Sequence, residues 1–151
     1  MNEVDLAMAD GEAPDWLGAC RRFVEAVLEA LGIHDWEVSI LFCNDRFSAA
    51  LNERYRGVKA PTDVLSFAQL APEIAAAEGR GPAPAGDIVI SLETMKRNAR
   101  ENYEPEEMEL KRLLIHGILH LRGMDHSAEG DSEMMGIQER ILSSLASLPI
   151  F

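Results

Sequence analysis

Cysteine is scarce: Cys20 and Cys43 are the only two in 151 residues, and they form no CxxC pair. That excludes a disulfide scaffold or a thiolate zinc cluster. Both lie among apolar neighbours, where buried, reduced thiols are expected. No stretch approaches the roughly 18 consecutive apolar residues of a membrane helix, so a soluble protein is expected. The first ten residues are acidic and lack a basic segment followed by an apolar run. No secretory signal is therefore read there, and the expected location is the cytoplasm. Positive charge is also short, with 14 Lys and Arg against 26 Asp and Glu and a net charge of −12. A surface that binds phosphates is usually basic, so this balance argues at first against a nucleic-acid partner.

The distribution of charge softens that exclusion. Residues 51–126 carry ten of the 14 bases beside 12 acids, whereas residues 1–50 carry three bases and ten acids. Lys96, Arg97, Arg100, Lys111 and Arg112 each read singly as solvated helix positions, but their shared segment favours a local positive field. A composition of 47% hydrophobic and 26% charged residues is that of a globular chain. Its length suits one domain spanning residues 1–151, burying roughly 70% of the unfolded surface.

Apolar residues from Trp16 to Leu31 recur at steps of three and four after Pro14 and stop at Gly32, which predicts an amphipathic helix. Alternation over residues 36–42 predicts a strand. Asn44 or Asp45 caps a helix to about Arg54, with Phe47 and Leu51 inward, followed by a loop over 55–63 and a strand over 64–67. Residues 70–86, rich in Ala, Pro and Gly, read as an insertion with at most one turn near 74–78. Residues 87–91 form a strong strand, and Ser91 caps a helix to about Asn102. Pro105 opens a nearly buried central helix that ends at Gly123, and a last helix covers about 129–148. Strands and helices in mixed order predict an α+β domain, a small mixed β-sheet packed against helices.

The central helix carries the most informative motif, His116-Gly-Ile-Leu-His120-Leu-Arg-Gly123-Met-Asp-His126. His116 and His120, four apart, present both rings on one helical face. Gly123 lets the chain turn out of the helix and bring His126 to the same point. Three neutral imidazoles with an open fourth position are the donor set of a catalytic transition-metal site at the end of the central helix. Zinc is the expected ion, and nickel, copper or iron also suit three imidazoles. The spacing matches that of the metzincin zinc peptidases except that Gly117 stands where those enzymes carry a glutamate general base. His34 has no such company and reads as a surface or helix-end residue.

Three further segments occur in order with this motif: residues 51–57 (LNERYRG), 61–67 (PTDVLSF) and 86–91 (GDIVIS). Together the four closely resemble the YbeY family of bacterial rRNA-maturation endoribonucleases. The resemblance implies a single-domain α+β fold and a metal held by the three histidines. It implies action on the 3′ end of a 16S rRNA precursor, in late quality control of the small ribosomal subunit, with that subunit and its assembly factors as partners. Neither membrane nor DNA is expected as a partner. It also implies a catalytic role for the arginine of the Tyr-Arg-Gly segment, here Arg56.

On this reading the ion holds a phosphate oxygen or a water, and Arg56 stabilises developing phosphate charge. A salt bridge from Arg56 to Asp63 or Asp87 is the structural alternative. Asp125 orients a histidine, takes a proton or caps a turn, and Thr62 and Asp63 are expected to hold their loop. Ser66 has no base nearby in sequence, so a serine nucleophile is not expected. Two rivals stand beside the ribonuclease: a metallopeptidase using Glu129 or Glu133 as base, and a non-catalytic ribosome-assembly factor stabilised by its metal.

Overall fold

A computed structural model describes residues 1–69, 82–124 and 128–151, with side chains of the last segment described from 132 onward. The turn expected near 74–78, Asp125, His126 and the Glu129 side chain lie outside the described residues. Four strands form one mixed sheet: β1 (Glu3–Met8), β2 (Trp36–Cys43), β3 (Val64–Ala68) and β4 (Ala83–Ser91). Their order is β1-β2-β4-β3, with β1 and β4 parallel to β2 and β3 antiparallel to β4. Among the described residues five helices accompany them: α1 (Leu17–Ala30), α2 (Asp45–Arg56), α3 (Leu92–Glu101), α4 (Glu106–Leu121) and α5 (Ala128–Ser144). The α+β architecture expected from the sequence is the one observed.

The sheet separates two apolar clusters by the period-2 alternation of its strands. Val38, Ile40, Phe42, Ile88 and Ile90 face a large core with α1 and α4, while Cys43, Leu65 and Val89 face the opposite side with Leu51. In α4 the residues Leu110, Leu113, Leu114, Ile115, Ile118 and Leu119 are all buried. Cys20 and Cys43 are buried free thiols, and burial pushes them up to about 12 and about 11 respectively. Thiols so shifted stay protonated and inert at neutral pH.

Two elements differ from expectation. Residues 3–8, read above only for their acidity, form an edge strand whose Val4, Leu6 and Met8 pack on the core while Glu3 and Asp5 face outward. Strand β4 begins at Ala83, four residues earlier than the sequence pattern, because Ala85 is bulged out of register between its pairings with Glu37 and Val38. Pro84 is tolerated there because β3 pairs with β4 only from Gly86 onward. Phe47, expected inward, is 39% exposed.

Helix ends follow local chemistry. Asn44 Oδ1 accepts from the Phe47 N–H at 2.9 Å to start α2, and Gly57 at φ 71° closes it. The starts of α2 and α3 are stitched together. Asp45 accepts from Ser91 Oγ at 2.8 Å, Thr94 Oγ1 at 2.5 Å and Arg97 at 2.6 Å, and its own N–H donates to Glu93 at 2.9 Å. The Arg97 guanidinium, joined by the two hydroxyls and opposed by partial burial, holds the Asp45 carboxyl down at about 2.

A carboxylate whose folded-state value is depressed contributes stability above its unfolded value, near 3.9, and loses it as pH falls through the folded one. Asp45→Asn is therefore expected to cost about 1 kcal/mol at neutral pH. Urea denaturation should show the gap from wild type closing between about pH 4 and about pH 2. A gap unchanged at pH 2 would contradict the assignment.

Candidate functional site

Helix α4 lies against β3, β4 and α1, and its seating on the sheet is set by Gly117. A Cβ at that position would stand 2.9 Å from Ile88 Cγ2 and 3.0 Å from Ile88 Cδ1. Only hydrogen lets the helix come this close. With Gly117 turned to the sheet, the adjacent His116 and the next-turn His120 are half-buried and point sideways, past the edge strand β3.

A cleft of about 350 Å³ opens there, lined by His116, His120, Arg56, Thr62, Asp63 and by Ser66 and Ala68 of β3. The loop on its far rim is pinned from α2. Buried Ser48 donates through Oγ to the Thr62 carbonyl at 2.8 Å and accepts from the Thr62 N–H at 3.0 Å, and Asn52 Nδ2 donates to the Ala60 carbonyl at 2.8 Å. Asp63 Oδ1 accepts from the Val64 N–H at 2.8 Å, and its Oδ2 accepts from Asn98 at 3.2 Å, so this side chain holds its loop as expected. Ser66 Oγ donates to the Gly117 carbonyl at 3.4 Å, another tie between β3 and α4.

The two imidazoles converge through the same ring atom. Their Nε2 atoms are 3.0 Å apart, with ring centroids 4.5 Å apart at 76°. A tetrahedral zinc ion with bonds of about 2.0–2.1 Å would hold two nitrogens roughly 3.3 Å apart, so the pair fits such an ion after a shift of a few tenths of an ångström. Among the described residues no group of three His, Cys, Asp or Glu surrounds one point, which is consistent with His126 lying outside them. The helix does turn where the motif requires. Gly123 has φ 100°, its N–H donates to the His120 carbonyl at 3.0 Å, and the Met124 N–H donates to the Leu119 carbonyl at 3.1 Å. These paired bonds are the Schellman arrangement that closes a helix and redirects the chain.

Arg56 is exposed, and among the described residues no ion pair joins it to Asp63 or Asp87. Asp87 lines a different hollow beside Asp5 and Ser39. Of the five cations read for a broader positive field, Lys96 and Arg100 are exposed and the other three are engaged elsewhere. Arg97 is neutralised by Asp45, and Arg112 by Glu104 at 2.6 Å with Glu109 and Glu139 nearby. Lys111 is buried, donating to the Ala146 carbonyl at 3.0 Å. Arg56 is the one formal cation among the described residues lining the cleft.

One site residue escaped the sequence pattern. Gln138 of α5 is buried, and its Oε1 lies 2.9 Å from His116 Nδ1. The available signal was a polar residue on the inward face of an amphipathic helix, between Met134 and Ile141.

The fold and cleft together define a small α+β protein with two imidazoles and an arginine facing one opening. The family model described as Endoribonuclease YbeY matches residues 8–146. The chain belongs to the YbeY family. Relatives named Endoribonuclease YbeY include those of Treponema denticola, 41% identical over 99% of this chain and 97% of the relative, and Treponema pallidum strain Nichols, 43% identical over 95% and 89%. The relative from Bradyrhizobium diazoefficiens is 39% identical over 96% of this chain and 81% of its own. The solution structure of TM1509 from Thermotoga maritima superposes with a TM-score of 0.66 at 27% identity, covering 96% of this chain and 89% of that one. No described helix is long and apolar enough to cross a membrane.

The contact at Gly117 yields a test of whether position 117 can accommodate a glutamate base. Gly117→Glu, which restores the peptidase sequence pattern, should cost more than about 3 kcal/mol by overpacking and by burying a charge, with no gain of protease activity. A soluble, folded Gly117→Glu variant that hydrolyses casein would contradict this.

Proposed function

We propose that this chain is a metal-dependent endoribonuclease that cuts RNA, with the 3′ end of a 16S rRNA precursor as substrate and the small ribosomal subunit and its assembly factors as partners. The observation that carries this reading is the convergence of His116, His120 and Arg56 on one cleft in a member of the YbeY family. The relatives' shared name, Endoribonuclease YbeY, supports RNA as the substrate.

His116, His120 and His126 would hold the ion, with zinc the best match to a three-imidazole donor set. When bound, the ion supplies a Lewis acid for phosphate oxygen and acidity for water. The protein's own groups do the rest. Arg56, with a planar guanidinium and no ion pair to the nearby carboxylates, is placed to clamp a phosphate and stabilise its developing charge. Asp63 is committed to its own loop and to Asn98, so it serves to keep the rim in place. Ser66 donates to the Gly117 carbonyl, so its hydroxyl serves to tie β3 to α4. A net charge of −12 is compatible with an RNA substrate because the cleft itself presents a cation and a site for a second one.

Packing against Ile88 leaves no room for a glutamate base at position 117, so a peptidase would have to draw its base from Glu129 or Glu133. Wild type, His120→Ala and Arg56→Ala, each assayed for bound metal, should be compared on a 16S rRNA 3′-end precursor. His120→Ala is expected to lose metal and cleavage together. Arg56→Ala should keep its metal and lose about 100-fold or more in rate, the size of effect seen when one transition-state donor is removed. Wild-type rates in both variants would overturn the proposal.

A further inference from the structure

Gln138 is 2% exposed and lies beside Leu113 and Met135 in a hollow that Asp63, Glu109, Arg112 and His116 also line. Burying an amide costs free energy unless its polar atoms are used. Its Oε1 lies 2.9 Å from His116 Nδ1, while its Nε2 reaches only a weak acceptor, Met135 Sδ at 3.8 Å. The amide is thus oriented with its carbonyl toward the ring and its NH₂ toward sulfur. An acceptor at Nδ1 requires the ring to carry its proton there, which leaves Nε2 as a lone pair. That Nε2 is the atom facing His120 Nε2 at 3.0 Å.

Gln138 reaches the site from a helix separate from the one carrying His116. It therefore fixes the ring from outside α4, against rotation about the Cβ–Cγ bond. Ligand imidazoles generally donate their second N–H to a fixed acceptor, often a carboxylate. A carboxylate here would add a negative charge to that of Asp63, which already lines the cleft. An amide supplies the same hydrogen bond without that charge.

We propose that Gln138 is a positioning residue that holds His116 as its Nδ1–H tautomer with Nε2 turned to the metal. Its neutrality adds no second negative charge to that of Asp63 beside the ion that would attract RNA phosphate. The inference rests on the metal-dependent ribonuclease reading above, and the choice of an amide is what goes beyond it.

The test uses full-length wild type, Gln138→Leu and Gln138→Glu, each checked for folding by circular dichroism. Zinc affinity is measured by chelator competition, the histidine tautomer by ¹⁵N NMR of the metal-free protein, and KM on the RNA precursor. Gln138→Leu should weaken zinc binding about 10- to 100-fold and lose the single Nδ1–H tautomer. Gln138→Glu should bind zinc at least as tightly as wild type but show a KM for RNA raised severalfold. Unchanged zinc affinity and tautomer in Gln138→Leu would overturn the positioning role. So would equal losses of zinc affinity in both variants, the outcome of a purely packing residue. An unchanged KM in Gln138→Glu would overturn the role of neutrality. If wild type cuts no RNA while the zinc and tautomer results come out as expected, the ribonuclease reading falls and the positioning role stands.

Discussion

The contact between Gly117 and Ile88 is the constraint on which the rest of the molecule depends. It lets α4 approach the central strand β4 more closely than any residue with a Cβ would permit. Helical geometry then gives the neighbouring positions no choice. With 117 against the sheet, 116 and 120 project along its edge, over β3 and toward the loop that precedes it. The metal-ligand spacing and the packing are therefore one feature of the sequence. The glycine that seats the helix stands where the metzincin motif carries a glutamate, and the close approach that builds the cleft leaves no room for that side chain at position 117.

Around this contact the chain uses polar side chains to hold backbone. Ser48 and Asn52 tie the loop after α2, Asp63 ties the start of β3, and Asp45 joins the first turns of α2 and α3. These bonds place Arg56 at the end of α2 across the cleft from the histidines. Arg97 and Arg112 are held in ion pairs and Lys111 is buried, so these three cations serve the fold, while Arg56 lines the cleft. A cation lining the cleft gives a locally positive group within a protein of strongly negative net charge.

Much of this was legible in the residues. The helices were marked by caps and periodicity, and the histidine spacing pointed to one helical face and a glycine turn, both of which the structure shows for His116, His120 and Gly123. What was not legible depended on tertiary pairing. Strand β1 alternates apolar and polar residues, but its high charge outweighed the period-2 signal until a parallel partner gave Val4, Leu6 and Met8 a core to face. The early start of β4 rests on a bulge and on Pro84 lying outside the β3 ladder, which no local pattern announces. The pairing of Arg97 with Asp45 and of Arg112 with Glu139 was not legible either, because those partners come from distant segments. Gln138 lies 22 positions from His116 on another helix, so only the packing of α4 and α5 could reveal the contact.

X-ray absorption spectroscopy of the zinc-loaded protein tests the central claim most directly. Three imidazole nitrogens at about 2.0–2.1 Å with one further light-atom ligand are expected, and the shell should lose imidazole scattering in His116→Ala. A sulfur shell, or a spectrum indifferent to loss of His116, would contradict the assignment of this cleft as the metal site.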